Sequence, residues 1–179
     1  MRISLILITI VFLFSCEARK EAVRKKVDSL SQSQKPDQLS KNVTVIFADS
    51  NFTKAVLTAK QARVFKAKNV TYLDSSVNVE FMSKYTNKRM SILTSDSAQI
   101  DDLTKDMIAM GNVIVISDST GLKLETSVLE WSNIRQKIYS NQFVRITTAN
   151  ELILGYGFES NPNLSNYKIM KVSGIQRIR

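Results

Sequence analysis

The sequence predicts an all-β fold built from repeated antiparallel hairpins, and three observations carry that prediction. From Asn42 onward Val, Ile, Thr, Phe and Tyr dominate, and apolar residues alternate with polar ones. Four segments, NVTVIF, SVNVEF, NVIVIS and QFVRIT, are versions of one strand: Val43, Val77, Val113 and Val144 align, as do Val45, Val79, Val115 and Ile146. The segments that follow repeat as well. LTAKQARV aligns with LTSDSAQI and more loosely with LETSVLEW, so that Leu57, Leu93 and Leu124 set periods of 36 and 31 residues. A period of this size means that one supersecondary unit is stacked. Each unit holds strands of about 5–8 residues that bury one face and wet the other. Turns such as Asp49-Ser50-Asn51 and Asp118-Ser119-Thr120-Gly121 join them. A lone hairpin cannot close a core, so the units must stack into a sandwich, jelly roll or β-ladder.

Taken in order, the chain opens on MRISLILITIVFLFSCE. Arg2 is followed by a twelve-residue apolar run, Ile3 to Phe14. That is short of the roughly twenty residues that span a bilayer, and it fits the apolar region of an export signal. Leu13-Phe14-Ser15-Cys16 resembles a bacterial lipobox, with Phe14 a departure from its usual small or aliphatic residue. The likeness implies cleavage before Cys16, the chain's one cysteine, and acylation of it. Residues 1–15 are therefore expected to be a lipoprotein signal peptide, with the membrane attached through acylated Cys16. Residues 16–41 are expected to be a polar tether, since 17–41 carry seven Lys/Arg against four acids, a Ser/Gln run and Pro36. The β-domain then fills 42–179. Within it Asp102–Gly111, DLTKDMIAMG, also reads as one turn of helix, although its copy SNIRQKIYSN ends in strand-like Ile138 and Tyr139.

Composition bounds the chemistry. The chain has 179 residues, enough for one domain with a sizeable core. It has no histidine and one cysteine. No Cys/His metal site, internal disulfide or His-based catalytic pair can be built, and the acids are scattered. No catalytic residue, metal or cofactor is expected, and the reading is that the chain is not an enzyme. The formal charge of +9 points to acidic partners. Nucleic acid is a poor candidate, because aromatics are only 8% and an exported chain rarely meets it.

Residues in the second half carry a family likeness. Gly111-Asn112-Val113, Thr126/Leu129/Trp131, Lys137-Ile138-Tyr139-Ser140 and Gly155/Gly157-Phe158-Glu159 follow an ordered motif series. That series resembles the LptC family of lipopolysaccharide export proteins, over roughly residues 42–175. The resemblance implies a twisted antiparallel β jelly roll whose interior carries the acyl chains of lipid A. It implies docking to the LptB/LptF/LptG ABC transporter on one side and handover to an LptA-like periplasmic protein on the other. It places the chain at the periplasmic face of the inner membrane, lipid-anchored here where many relatives keep a transmembrane helix.

Val45, Phe47, Val64, Val79, Phe81, Ile100, Val115, Trp131 and Ile146 sit at matched repeat positions, so they are expected to share an interior stripe that either carries lipid or is ordinary core. The cations Lys60, Arg63, Lys66, Lys68, Lys84, Lys88 and Arg89 cluster near turns. They read either as lipid A phosphate contacts or as solvated faces. Gly155 and Gly157 thin the strand before a terminal run from Tyr167 to Ile178. They mark a sheet corner or the outlet beside a partner edge that includes Tyr167, Ile169 and Lys171. An alternative function is a structural or adhesive surface lipoprotein with the same repeat and no cargo.

Overall fold

The computed structural model describes residues 35–49 and 51–178. The signal peptide, Cys16 and most of the tether lie outside the described residues. Nine strands follow one another: β1 (Gln38–Asp49), β2 (Phe52–Phe65), β3 (Val70–Met82), β4 (Arg89–Asp101), β5 (Met107–Ser117), β6 (Lys123–Ser132), β7 (Lys137–Thr147), β8 (Glu151–Ser160) and β9 (Tyr167–Arg177). Among the described residues only a single turn of 3-10 helix, Lys66–Lys68, interrupts them. All pair antiparallel in chain order, so the sheet is one nine-stranded meander from β1 to β9. The all-β jelly-roll expectation holds. Asp102–Gly111 forms no helix: a turn leads directly into β5 at Met107.

The strands are longer than the sequence suggests, running from 10 to 14 residues. Each expected short strand is half of a long one that is interrupted near its middle. Register shifts fall at 58/61 on β2, 74/77 on β3, 94/97 on β4, 110/113 on β5, 126/130 on β6 and 140/143 on β7. Left-handed residues lie in the same band, at Asn42, Ser75, Ser76, Gly111, Asn112 and Gly157. A bulge leaves ladder groups unpaired and bends its strand. Aligned across successive strands, the bulges make a fold line that divides the sheet into two arms.

The arms close on each other. Phe47 on β1 and Trp131 on β6 meet edge to face, with ring centroids 4.9 Å apart. In a flat sheet these strands would be five spacings, or about 24 Å, apart. Phe81 on β3 reaches the same indole at 5.5 Å, and Lys54 on β2 meets Asn133 in the β6–β7 turn at 3.5 Å. The Ser91 hydroxyl on β4 donates to the Pro162 carbonyl beyond β8.

Alternation supplies the core. Val45, Leu57, Val79, Leu93, Val115, Leu124, Ile146, Ile153 and Ile175 face one another in turn across all nine strands. This unbroken aliphatic row is the repeat seen in the sequence, turned into a cross-strand ladder. A short second row in the same arm runs through Phe47, Ala55 and Phe81. In the other arm Val64, Thr71, Ile100, Met107, Trp131 and Ile138 form a third row. The nine expected interior residues therefore lie on three rows of one inner face, not on one stripe.

A candidate lipid-carrying face and its two edges

Of the motif residues, Gly111, Asn112, Thr126, Ser140 and Gly157 lie on the fold line, and each has a local task there. Asn112 amide donates to the Asp96 carboxylate at 2.8 Å, and a Cβ on Gly111 would meet that same oxygen at 2.5 Å. The Gly-Asn pair thus lets β5 turn against an acid on β4. Thr126 hydroxyl donates to the Phe143 carbonyl at 2.9 Å, and Ser140 hydroxyl donates to the Val128 carbonyl at 2.7 Å. The amide of Gln142 donates back to Ser140 at 3.1 Å. These bonds satisfy backbone groups that the bulges release from the ladder. On β2 and β3, Arg63 closes the line with a two-point contact to Asp74 at 2.7 and 3.1 Å.

Lys137 of the third motif pairs with Glu159 of the fourth at 3.3 Å. Ile138 beside it is buried, and Tyr139 sits opposite Glu130. Burial, and then hydrogen bonding to Glu130, raises the Tyr139 phenol above its ordinary value. Leu129 and Trp131 point into the core.

The two glycines have separate reasons. Gly157 has φ +74 in the fold line, where an L side chain is strained. Gly155 has an ordinary φ, but a Cβ there would come within 2.6 Å of the Lys171 carbonyl oxygen. Gly157 bends β8, and both glycines let β9 lie close, since a Cβ on Gly157 would come within 2.7 Å of the Met170 side chain.

Burial sorts the expected interior residues. Phe47, Val79, Phe81, Ile100, Val115, Trp131 and Ile146 are buried, while Val45 and Val64 are half-buried. The deep rows are packed core. The inner face reaches solvent at its margins. On β9, Val172 is 50% and Ile175 63% exposed, although both face the inward residues Gly155 and Ile153. On β1, Val43 and Val45 pack only partly against the core. A cavity of about 270 Å³ opens beside Val45 and Phe47, walled by Thr71, Ile100, Asp102, Lys105 and Asn133. Among the described residues β1 and β9 each pair with one neighbour, so each carries an unpaired edge. Of the expected partner-edge residues, Tyr167, Ile169 and Lys171 lie on β9 and both glycines on β8. Tyr167 stacks on Phe158 at 6.3 Å, and Ile169 packs on the core.

The basic residues divide too. Arg63 is paired with Asp74, and Arg89 with Asp118 and Glu80. Lys68 and Lys84 lie over the rings of Phe65 and Tyr85. The ammonium groups of Lys60, Lys66 and Lys88 stand exposed with no ion pair or hydrogen bond among the described residues.

A folded antiparallel sheet with an apolar inner face that surfaces at two unpaired edges is a protein of the β jelly-roll class. The model of the lipopolysaccharide-assembly, LptC-related family matches residues 3–174, and the chain belongs to that family. Its members act in lipopolysaccharide transport, in the periplasm and in association with the inner membrane. No curated protein matches the chain. No helix among the described residues is long and apolar enough to cross a membrane.

Proposed function

We propose that this chain is the membrane-anchored periplasmic link of the lipopolysaccharide export bridge. It receives lipopolysaccharide from the LptB/LptF/LptG ABC transporter and passes it to an LptA-like protein. It catalyses no bond chemistry, and ATP hydrolysis in the transporter supplies the work. Acylated Cys16 holds it at the periplasmic face of the inner membrane, and the inner face of the folded sheet holds the lipid A acyl chains. The observation that carries this reading is the aliphatic row from Val45 to Ile175. It crosses all nine strands and is least covered at its two ends. A neighbouring jelly roll that paired with either edge would continue both the sheet and its apolar face. Acyl chains then pass between proteins without crossing water, which avoids about 0.8 kcal/mol for each CH₂ exposed.

The packed interior gives the reading a mechanical form. Chains lie first at the margins, against Val45 or Ile175, and reach the deep rows only as the arms spread about the fold line. Photocrosslinking in cells tests this. Crosslinkers at Val45 and Ile175 should trap lipopolysaccharide, whereas one at the outward Thr44 should not. Equal labelling at all three positions, or none at the inward pair, overturns the reading.

A further inference from the structure

We infer that the free edge of β9 selects an acidic partner strand. That strand carries aliphatic side chains on one face and carboxylates on the other, and it is not a second copy of this chain. The inference rests on the handover reading and names the chemistry of the partner at that site.

β9 reads YKIMKVSGIQR, with three cations and no acid. Its inward side offers Ile169, Val172 and Ile175, which face Phe158, Gly155 and Ile153 on β8. Its outward side offers Lys168, opposite exposed Glu159, and Lys171, opposite exposed Tyr156. β8 offers Lys168 one carboxylate, that of Glu159, and Lys171 none. Glu159 carboxylate is engaged by Lys137 on β7, at 3.3 Å, and Tyr156 is packed against Phe143 at 5.3 Å. Neither lysine has an ion pair among the described residues. A strand added to β9 places its residues directly opposite these lysines, where opposite charges are favoured and like charges disfavoured. Main-chain pairing alone does not discriminate between partners, so the side chains must.

The other edge of this chain is a poor match. β1 holds one cation, Lys41, and one anion, Asp49, near its two ends. Asp49 already lies 3.4 Å from Lys54. Head-to-tail joining of two copies would leave both lysines of β9 uncompensated. The cationic edge thus discourages filaments of the chain itself while it attracts an acidic strand. Charged edges that prevent self-association are a known device of sheets.

The test uses the full chain and a soluble LptA-type protein from the same cell, with affinity measured at low and high salt. The wild type should bind, and the affinity should fall as salt rises. Lys168→Glu combined with Lys171→Glu should weaken binding roughly tenfold or more and remove most of that salt dependence. Lys168→Gln with Lys171→Gln should fall between the two. Unchanged affinity and salt response in the Glu variant, with a native circular dichroism spectrum, overturns charge selection but leaves handover standing. Failure of the wild type to bind overturns the handover and this inference together. Self-association of the wild type through β9, seen by light scattering and abolished by the Glu variant, names the second copy as occupant and also overturns it.

Discussion

Trp131 shows how the core is held at a single residue. It is buried, and its indole meets Phe47 and Phe81 edge to face, yet its Nε1 has no hydrogen-bond partner among the described residues. An unsatisfied buried donor costs about 1–3 kcal/mol, which the ring contacts and the buried area must offset. Two substitutions separate these terms. Trp131→Ala should lower stability by about 3–5 kcal/mol, because it removes the aromatic contact between the two arms. Trp131→Phe should cost far less, since it keeps a ring and deletes the unpaired donor. Denaturant unfolding followed by circular dichroism measures both, and similar losses would show that ring volume, and not the aromatic bridge, matters. Gly155 gives the second residue-scale prediction. Gly155→Ala drives a methyl group into the Lys171 carbonyl, and backbone cannot yield as a side-chain tip does. Amide exchange should rise across 167–177 while β3 to β6 stay protected. Loss of protection throughout the sheet would instead make β9 part of the cooperative core.

The element that governs this fold is the bent strand, and it marks what the sequence discloses. The repeat of Val45, Val79, Val115 and Ile146 was legible because cross-strand neighbours in a meander recur once per hairpin. The bend was not legible. On β4 the inward positions run Ser91, Leu93 and Ser95, then Ala98 and Ile100, so the parity changes inside the strand. A sequence reader sees such a change as a strand end, which halves the strand. The start of the first strand hid for another reason. Gln38–Lys41 are polar but for Leu39 and mostly exposed, like a tether, yet they pair with Gln61–Val64 at the sheet edge. That the interior rows are packed shut in this state could not be read from patterning, which places a residue on a face but says nothing of what covers it. Turns add one pH-dependent element. Asp101 has a pKa held below its ordinary value, chiefly by amide hydrogen bonds from Thr104 and Leu103. A carboxyl lowered in the folded state stabilises the turn above its unfolded pKa of about 3.9, and loses that effect as pH falls through the folded value. Protection of the Leu103 and Thr104 amides, taken relative to their intrinsic exchange rates at each pH, should therefore fall below about pH 4. Asp101→Asn should remove that pH dependence, and a variant that keeps it would place the titration elsewhere.

At the scale of the whole molecule, a single sheet in chain order puts its first and last strands at opposite margins. The proposed partners then differ by edge: β1, next to the tether, meets the transporter, and β9 meets the LptA-like protein. Proline separates the two, because it removes the N–H donor and fixes φ without adding charge. In a regular strand adjacent N–H groups point to opposite sides, so one of two neighbouring prolines strikes the open side while the other strikes the internal ladder. Lys168→Pro and Ile169→Pro form such a pair in the regularly paired start of β9, opposite Glu159 and Phe158. Val43→Pro and Thr44→Pro do the same on β1, opposite Ala59 and Thr58. Within each pair, the variant that keeps its thermal transition is the one whose open side is changed. On β9 that variant should lose the LptA-like protein in a pull-down and still copurify with the transporter. On β1 it should do the reverse, losing the transporter and keeping the LptA-like protein. If a folded β9 variant loses the transporter, or a folded β1 variant loses the LptA-like protein, then the two edges do not divide the partners. In that case the row from Val45 to Ile175 is not a one-way path between them.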